Sequence, residues 1–221
     1  LMLTRENAAR FATEAIARIG DAPPVDLYSG RGIVICGGGT KYGTCAWVLI
    51  RLLRHLGCTL PIEVWTLNDD EFDPQWVRLV EPLGVSCVNA SEITMRFPHR
   101  RLRGWELKPY AVLHSRFREV LFLDADNVPV DDPTYVFDAH EYQESGTVFW
   151  PDPEHHCMSQ ESVCWEIFGV RAQVGPDQES GQLLIDKSRC WKALRLCNWY
   201  NEHSDFYYQY IYGDKETFRF A

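Results

Sequence analysis

The sequence predicts an α/β protein built on a mostly parallel central sheet with flanking helices. Three observations carry that expectation. Short apolar runs alternate with helix-period segments through the first half of the chain, in the order β-α-β-α-β-loop-α-β. The run Val120-Leu121-Phe122-Leu123 leads straight into Asp124-Ala125-Asp126, so a buried strand ends in two carboxylates. A first strand, Gly32 to Cys36, opens into Gly37-Gly38-Gly39 and sets a glycine turn at the same edge of the sheet.

Taken in order, Thr4 to Ile19 reads as an amphipathic helix, with Thr4 as N-cap and Gly20 as stop. The linker Asp21-Ala-Pro-Pro24 separates it from the first strand, so residues 1–24 are expected to form a helical appendage. After the first strand, a helix is expected from about Thr44 to Leu56, ended by Gly57. Ile62 to Leu67 and Val85 to Val88 read as strands around a helix opened by Asp73 and Pro74. An irregular basic segment comes next, then a helix from about Lys108 to Phe117 that delivers the chain to the aspartate strand. In the less regular second half, Thr147 to Trp150 and Gln182 to Ile185 read as strands. Arg189 to Tyr200 reads as a helix behind the cap candidate Ser188. The sequence stops inside what reads as a helix just begun after Gly213, so a C-terminal truncation is expected.

Composition narrows the partners. The 221 residues carry a formal net charge of −9, which leaves no broad basic face for nucleic acid. The longest uncharged apolar run, Tyr42 to Ile50, is about half of a membrane span. The eight cysteines lie in apolar patterns or at spacings that match no zinc motif, so free thiols in a cytoplasmic protein are expected. Arg96-Phe-Pro-His-Arg-Arg-Leu-Arg103 is the one basic cluster, fit for an anionic ligand or a membrane surface, or simply a solvated loop.

The aspartates are the sharpest chemical signal. Alternation along an extended chain puts Asp124 and Asp126 on one side, with Ala125 between them. Two hard oxygen ligands at a strand's carboxyl end suit a divalent cation bridging to phosphate. Two other readings stay open at this point, a surface turn and the opening strand of a haloacid-dehalogenase-type phosphatase with a nucleophilic first aspartate. That phosphatase carries its motif on its first strand, whereas three strand patterns precede it here. The glycines match no nucleotide fingerprint. Tyr42 stands where a dinucleotide motif needs its last glycine, and Gly43 where a phosphate loop needs lysine. A glycine turn with Lys41 and the Tyr42 ring can still admit a nucleotide and stack its base, or be a plain strand-to-helix turn.

Six pieces in one order resemble the GT-A glycosyltransferases, with their Rossmann-like fold. They are Ile33 to Tyr42, Trp105-Glu-Leu-Lys108, Leu121 to Asn127, Phe149-Trp-Pro-Asp152, Glu179 to Asp186, and Tyr212-Gly-Asp-Lys215. The likeness is to the fungal-type α-mannosyltransferase family and its bacterial relatives, and more distantly to the glycogenin and galactosyltransferase family. It implies a GT-A domain over residues 30–221 that moves a hexose, mannose before others, from a nucleoside diphosphate sugar to a glycan hydroxyl with retention. The donor implied is GDP-mannose, or else a UDP-hexose. Asp124 and Asp126 would bind Mn2+ or Mg2+. Gly37, Gly38, Gly39, Tyr42, Lys108, Ala125, Asp152, Ser180 and Gly181 would line the donor, and Asp214, Glu179 and Gln182 the reaction centre. A third metal ligand, often a histidine, would come from beyond Ala221. His155-His156 is the only histidine pair, and an exposed loop pair is the plainer reading of it. Fungal kinship would imply the Golgi lumen instead of the cytoplasm. A non-catalytic sugar-nucleotide-binding subunit remains the rival from another class.

Overall fold

Near-continuous apolar runs make strands that must be covered on both faces, and four of them lie side by side and parallel. They are β1 (Arg31–Cys36), β2 (Ile62–Thr66), β3 (Val85–Asn89) and β4 (Glu119–Asp124). The computed structural model describes residues 2–221 except Val25, residues 69–71, residues 153–156 and Val174. The sheet has six strands in the order β3-β2-β1-β4-β6-β5, completed by β5 (Thr147–Pro151) and β6 (Gln178–Asp186). β6 runs antiparallel to both of its neighbours, so the sheet is mixed but mostly parallel. The order reverses direction beside β1 and β4, and ligands of open α/β sheets bind at such a switch point.

Ten helices surround the sheet among the described residues. They are α1 (Arg5–Ala17), α2 (Gly39–His55), α3 (Pro74–Val80), α4 (Ala90–Arg96), α5 (Leu107–His114), α6 (His140–Ser145), α7 (Cys164–Phe168), α8 (Trp191–Glu202), α9 (Ser204–Tyr207) and α10 (Lys215–Phe220). On one face Ile33, Ile35, Leu121, Leu123 and Leu184 pack against Ala46, Leu49, Ile50 and Leu53 of α2. On the other face Val34, Val120, Phe122, Leu183 and Ile185 pack against α5 and α8. Each such aliphatic side chain contributes about 1.5–3 kcal/mol by leaving water. Ala8 and Ala12 of α1 join a third cluster with Phe168, Tyr200, Tyr207 and Phe220.

Several sequence expectations shift. α2 begins at Gly39, whose φ of 62° only glycine takes cheaply, so residues 40–43 are its first turn and not a loose glycine loop. The segment read as irregular contains α4, capped by Asn89, whose Oδ1 accepts from Ser91 N at 2.9 Å. β6 starts at Gln178, not Gln182, because the polar Gln-Glu-Ser-Gly stretch also pairs. α8 starts at Trp191, and Ser188 is no cap: its N–H and hydroxyl both donate to Asp186 Oδ1. The expected opening of α3 holds, with Asp73 Oδ1 accepting from Gln75 N at 2.7 Å ahead of Pro74. Cys36, Cys45, Cys58, Cys87, Cys164, Cys190 and Cys197 are free thiols. Among the described residues no helix is long and apolar enough to cross a membrane.

Candidate active site

The carboxyl edge of β4 faces the first turn of α5, and Lys108 bridges the two. Lys108 is buried, and its Nζ donates to the Asp124 carboxylate at 3.2 Å, to Ser180 O at 2.9 Å and to Ser180 Oγ at 3.1 Å. The same ammonium stands 3.6 Å from Asp214 Oδ2, a buried atom with no hydrogen-bond partner. Burial alone would pull the Lys108 pKa down, but Asp214 and Asp124 outweigh it and hold the group charged.

β4 ends at Asp124, so strand alternation does not carry on to Asp126. The chain instead turns at Ala125 and Asp126, closed by Asn127 N donating to Asp124 O at 3.0 Å. Asp126 is exposed, yet close enough for its charge to raise the Asp124 pKa. Burial is the main cause of that rise, Glu179 adds to it, and Lys108 opposes it. Asn127, which the sequence did not single out, donates from Nδ2 to Gly181 O at 2.6 Å and ties the aspartate turn to β6.

β6 brings three of the expected residues to this edge. Glu179 Oε1 accepts from Ser180 N at 2.9 Å and Gly181 N at 2.6 Å. A Cβ on Gly181 would stand 3.0 Å from Glu179 Oε1 and 3.3 Å from Asp124 Oδ2, so glycine lets the two carboxylates approach. Gln182 is different. It pairs directly with Leu123, whose side chain belongs to the core on the α2 face, while Phe122 and Lys108 occupy the α5 face. Directly paired residues share a face, so Gln182 points away from Lys108 and Asp214.

Asp214 precedes α10, where a capping role would be the plain alternative. Its side chain makes no capping hydrogen bond; the contact to Thr217 runs through its carbonyl. Burial pushes its carboxyl up to about 6, with Lys108 acting against the rise. Asp152 is also buried and forms an ion pair with Lys215, the residue after Asp214. Its backbone N donates to Asp177 O at 2.8 Å. His155-His156 lies outside the described residues.

The glycine segment lines a cavity of about 700 Å³. Gly37, Gly38, Gly39 and Gly43 form one wall, and Phe72, Asp73 and Trp76 the other. Trp76 and Phe72 stack at 6.0 Å, and Trp76 Nε1 donates to Gly43 O at 2.9 Å. The aromatic wall is therefore Trp76, not the expected Tyr42, which is exposed on the first turn of α2 beneath the Lys41 ammonium. Gly37 is close-packed: a Cβ there would stand 3.2 Å from Tyr42 O, 3.3 Å from Ala46 Cβ and 3.4 Å from Ala125 Cβ, so these neighbours would have to give by a few tenths of an ångström. A smaller cavity of about 450 Å³ between α1 and α8 includes none of the expected site residues.

The donor set bears on a metal. Asp124 and Asp214 flank the Lys108 ammonium, and Asp126 and Glu179 lie close enough to raise the Asp124 pKa, a surplus of negative charge that a divalent cation would offset. Among the described residues no group of three or more His, Cys, Asp or Glu is placed to hold an ion. Two carboxylates fit an Mg2+-type site that completes its shell with phosphate oxygens and water.

The sheet order is that of the GT-A glycosyltransferase fold, and the turn at Ala125 and Asp126 stands at its switch point. The galactosyltransferase LgtC, solved with donor and acceptor sugar analogues, shares the fold at a TM-score of 0.56 and 15% identity, covering 85% of this chain and 69% of that one. The chain belongs to the family described as "Mannosyltransferase putative", whose model matches residues 30–177 and 170–221. This membership removes the phosphatase reading. The α-1,2-mannosyltransferase MNN2 of Saccharomyces cerevisiae is 28% identical over 242 residues, covering 88% of this chain and 40% of that protein. The α-1,2-mannosyltransferase MNN21 of Candida albicans is 26% identical over 278 residues, covering 99% and 42%. The chain thus spans about two fifths of the curated relatives it matches.

Proposed function

We propose that this chain carries the donor site and reaction centre of a retaining mannosyltransferase that uses a nucleoside diphosphate mannose, GDP-mannose first among the candidates. The observation that carries the reading is the Lys108–Asp124–Asp214 cluster at the switch point, in a chain of the mannosyltransferase family. The nucleoside fits the cavity between the first turn of α2 and Trp76, with the helix N-terminus toward the phosphates. Asp124 and Asp126 would hold Mn2+ or Mg2+, which when bound neutralises the charge that builds on the departing diphosphate.

The chain's own residues supply the rest. Lys108 brings a fixed ammonium to the diphosphate side of the sugar. Asp214, ionised above about pH 6, sets negative charge where an oxocarbenium-like sugar develops its positive charge. The C1–O bond to phosphate breaks with its electron pair leaving on the diphosphate. The acceptor hydroxyl oxygen forms the new C1–O bond, and its proton passes to the leaving phosphate oxygen. Asp152, held by Lys215, accepts from donor-sugar hydroxyls. Glu179 is spent on the backbone of β6 and acts as a positioning residue.

Calorimetry of GDP and UDP binding, with manganese and with chelator, tests the donor site. The full-length protein is expected to bind GDP about tenfold tighter or better with manganese. Asp126→Ala should erase that gain. Equal affinity under both conditions would remove the metal assignment.

A further inference from the structure

Tryptophan and tyrosine rings left in water are apolar surface that folding has not covered, at about 25 cal/mol per Å². Tyr42, Trp105, Tyr135 and Tyr212 are large aromatics of this kind among the described residues. Two of these touch each other. Trp105 is 53% exposed and Tyr212 79%, with ring centroids 5.3 Å apart and planes tilted by 45°. Both are anchored to the residues of the site. Trp105 lies in the 3-10 turn Gly104–Glu106, three residues before Lys108, and Tyr212 lies two residues before Asp214.

The backing of Trp105 is built to keep it in place. Gly213, at φ 67°, lies directly under the indole, and a Cβ there would stand 2.7 Å from Trp105 Cε3. Tyr208 supports the indole at 6.4 Å between centroids, and its own hydroxyl donates to Asn201 Oδ1 at 2.5 Å. A rigid ring with one face backed and the other open loses little entropy when a ligand lands on it. The ligand chemistry that suits this surface is amphipathic, with a flat apolar face and a polar rim. A hexopyranose ring has both, the C–H face to lie on the indole and the hydroxyls to meet the polar surface around it. The cavity beside Trp76 on the α2 side is the place proposed above for the nucleoside.

We infer that Trp105 and Tyr212 form the acceptor subsite, an aromatic platform on which the terminal hexose of the acceptor glycan stacks beside Asp214. The inference rests on the glycosyl-transfer reading above and adds the acceptor's place to it. The test reads binding, not turnover. An α-mannotriose is titrated into the full-length protein and followed by saturation-transfer NMR, with GDP affinity measured on the same samples. Tyr212→Ala and Trp105→Ala should each weaken the trisaccharide by about fivefold to tenfold. Tyr135→Ala, which removes an exposed ring elsewhere, should leave it unchanged. Trp105→Phe should recover part of the loss. Should Trp105→Ala not fold, Tyr212→Ala decides, because its ring is the most exposed of the four. Trisaccharide affinity unmoved in Tyr212→Ala and in any folded Trp105 variant, with GDP binding intact, overturns the platform alone. An unsubstituted protein that binds neither GDP nor UDP overturns the transfer reading and the platform with it.

Discussion

Two buried lysines sit at opposite edges of the same sheet, and their surroundings differ in one respect. Lys108, at the carboxyl edge of β4, faces Asp124 and Asp214, and those charges hold its pKa above the ordinary value. Lys187, just past the end of β6, is fully buried and faces only neutral oxygens and a ring. Its Nζ contacts Leu113 O at 3.1 Å, Ser115 O at 2.7 Å and Ser115 Oγ at 2.8 Å, and lies 4.0 Å from the Tyr28 ring centroid. Burial pulls its pKa well below that of a free lysine, with Glu63 opposing only from a distance. Burial by itself therefore does not mark a functional lysine; an excess of carboxylates around it does. Lys187 stitches the α5–β4 connection to the end of β6, whereas Lys108 balances a charged cluster that has more acid than it needs.

The largest expected effect lies at that cluster. Asp214→Asn should lower turnover by a factor on the order of 10² or more, equivalent to about 2.7 kcal/mol in the transition state. Nucleoside diphosphate affinity should change little, and the melting temperature should not fall, because no cap is lost. Steady-state kinetics and a melting curve on one sample separate this from a merely structural aspartate. At the other edge, Lys187→Met should cost about 2–3 kcal/mol by stranding Leu113 O and Ser115 O. Its kcat/KM should stay that of the unsubstituted protein. Denaturant unfolding alongside kinetics would break the comparison if activity dropped at equal folded fraction. The smallest effect is in pH. With Asp214 near 6, kcat should rise as pH passes through about 6, and Asp214→Asn should lose that limb. The stability sign is opposite. The folded carboxyl keeps its proton after the unfolded one has lost it, so this group's contribution falls as pH climbs from about 4 to about 6. The asparagine variant should not show that fall.

The sheet is legible in the sequence where its strands are buried on both faces. Ile33 to Cys36 and Val120 to Leu123 are continuous apolar runs, and each is found as a strand. Legibility fails where a strand or helix end lines the site. Gln178 to Gly181 is polar because it meets the Lys108 ammonium and the aspartate turn at Asn127, so it does not look like a strand. The first turn of α2 reads as a loop because Gly39 is there for its positive φ of 62° and glycine is a poor helix former. The aspartate pair stands at the strand end where the apolar run puts it, but the turn at Ala125 replaces the expected alternation. Lys187 carries no signal at all, since a lysine's neighbours in space are not its neighbours in sequence. Gln182 adjoins Gly181 in the chain, yet strand alternation turns it to the opposite face.

β6 is the one strand that runs against its neighbours, and it sits between β4 and β5. Its partners on β4 precede it by 59 to 67 positions, less than the 88 between β1 and β4, so β6 comes late by its place in the chain and not by loop length. The Ser180 oxygens that receive the Lys108 ammonium, and the Gly181 carbonyl that grips Asn127, exist only once β6 has docked. The parallel core of β1 to β4 can assemble from earlier residues, but the ligand-ready arrangement cannot. During synthesis, the Lys108–Asp124 cluster would therefore be completed only once residues 178–186 have emerged, and a ligand that binds there would act as a late clamp on maturation.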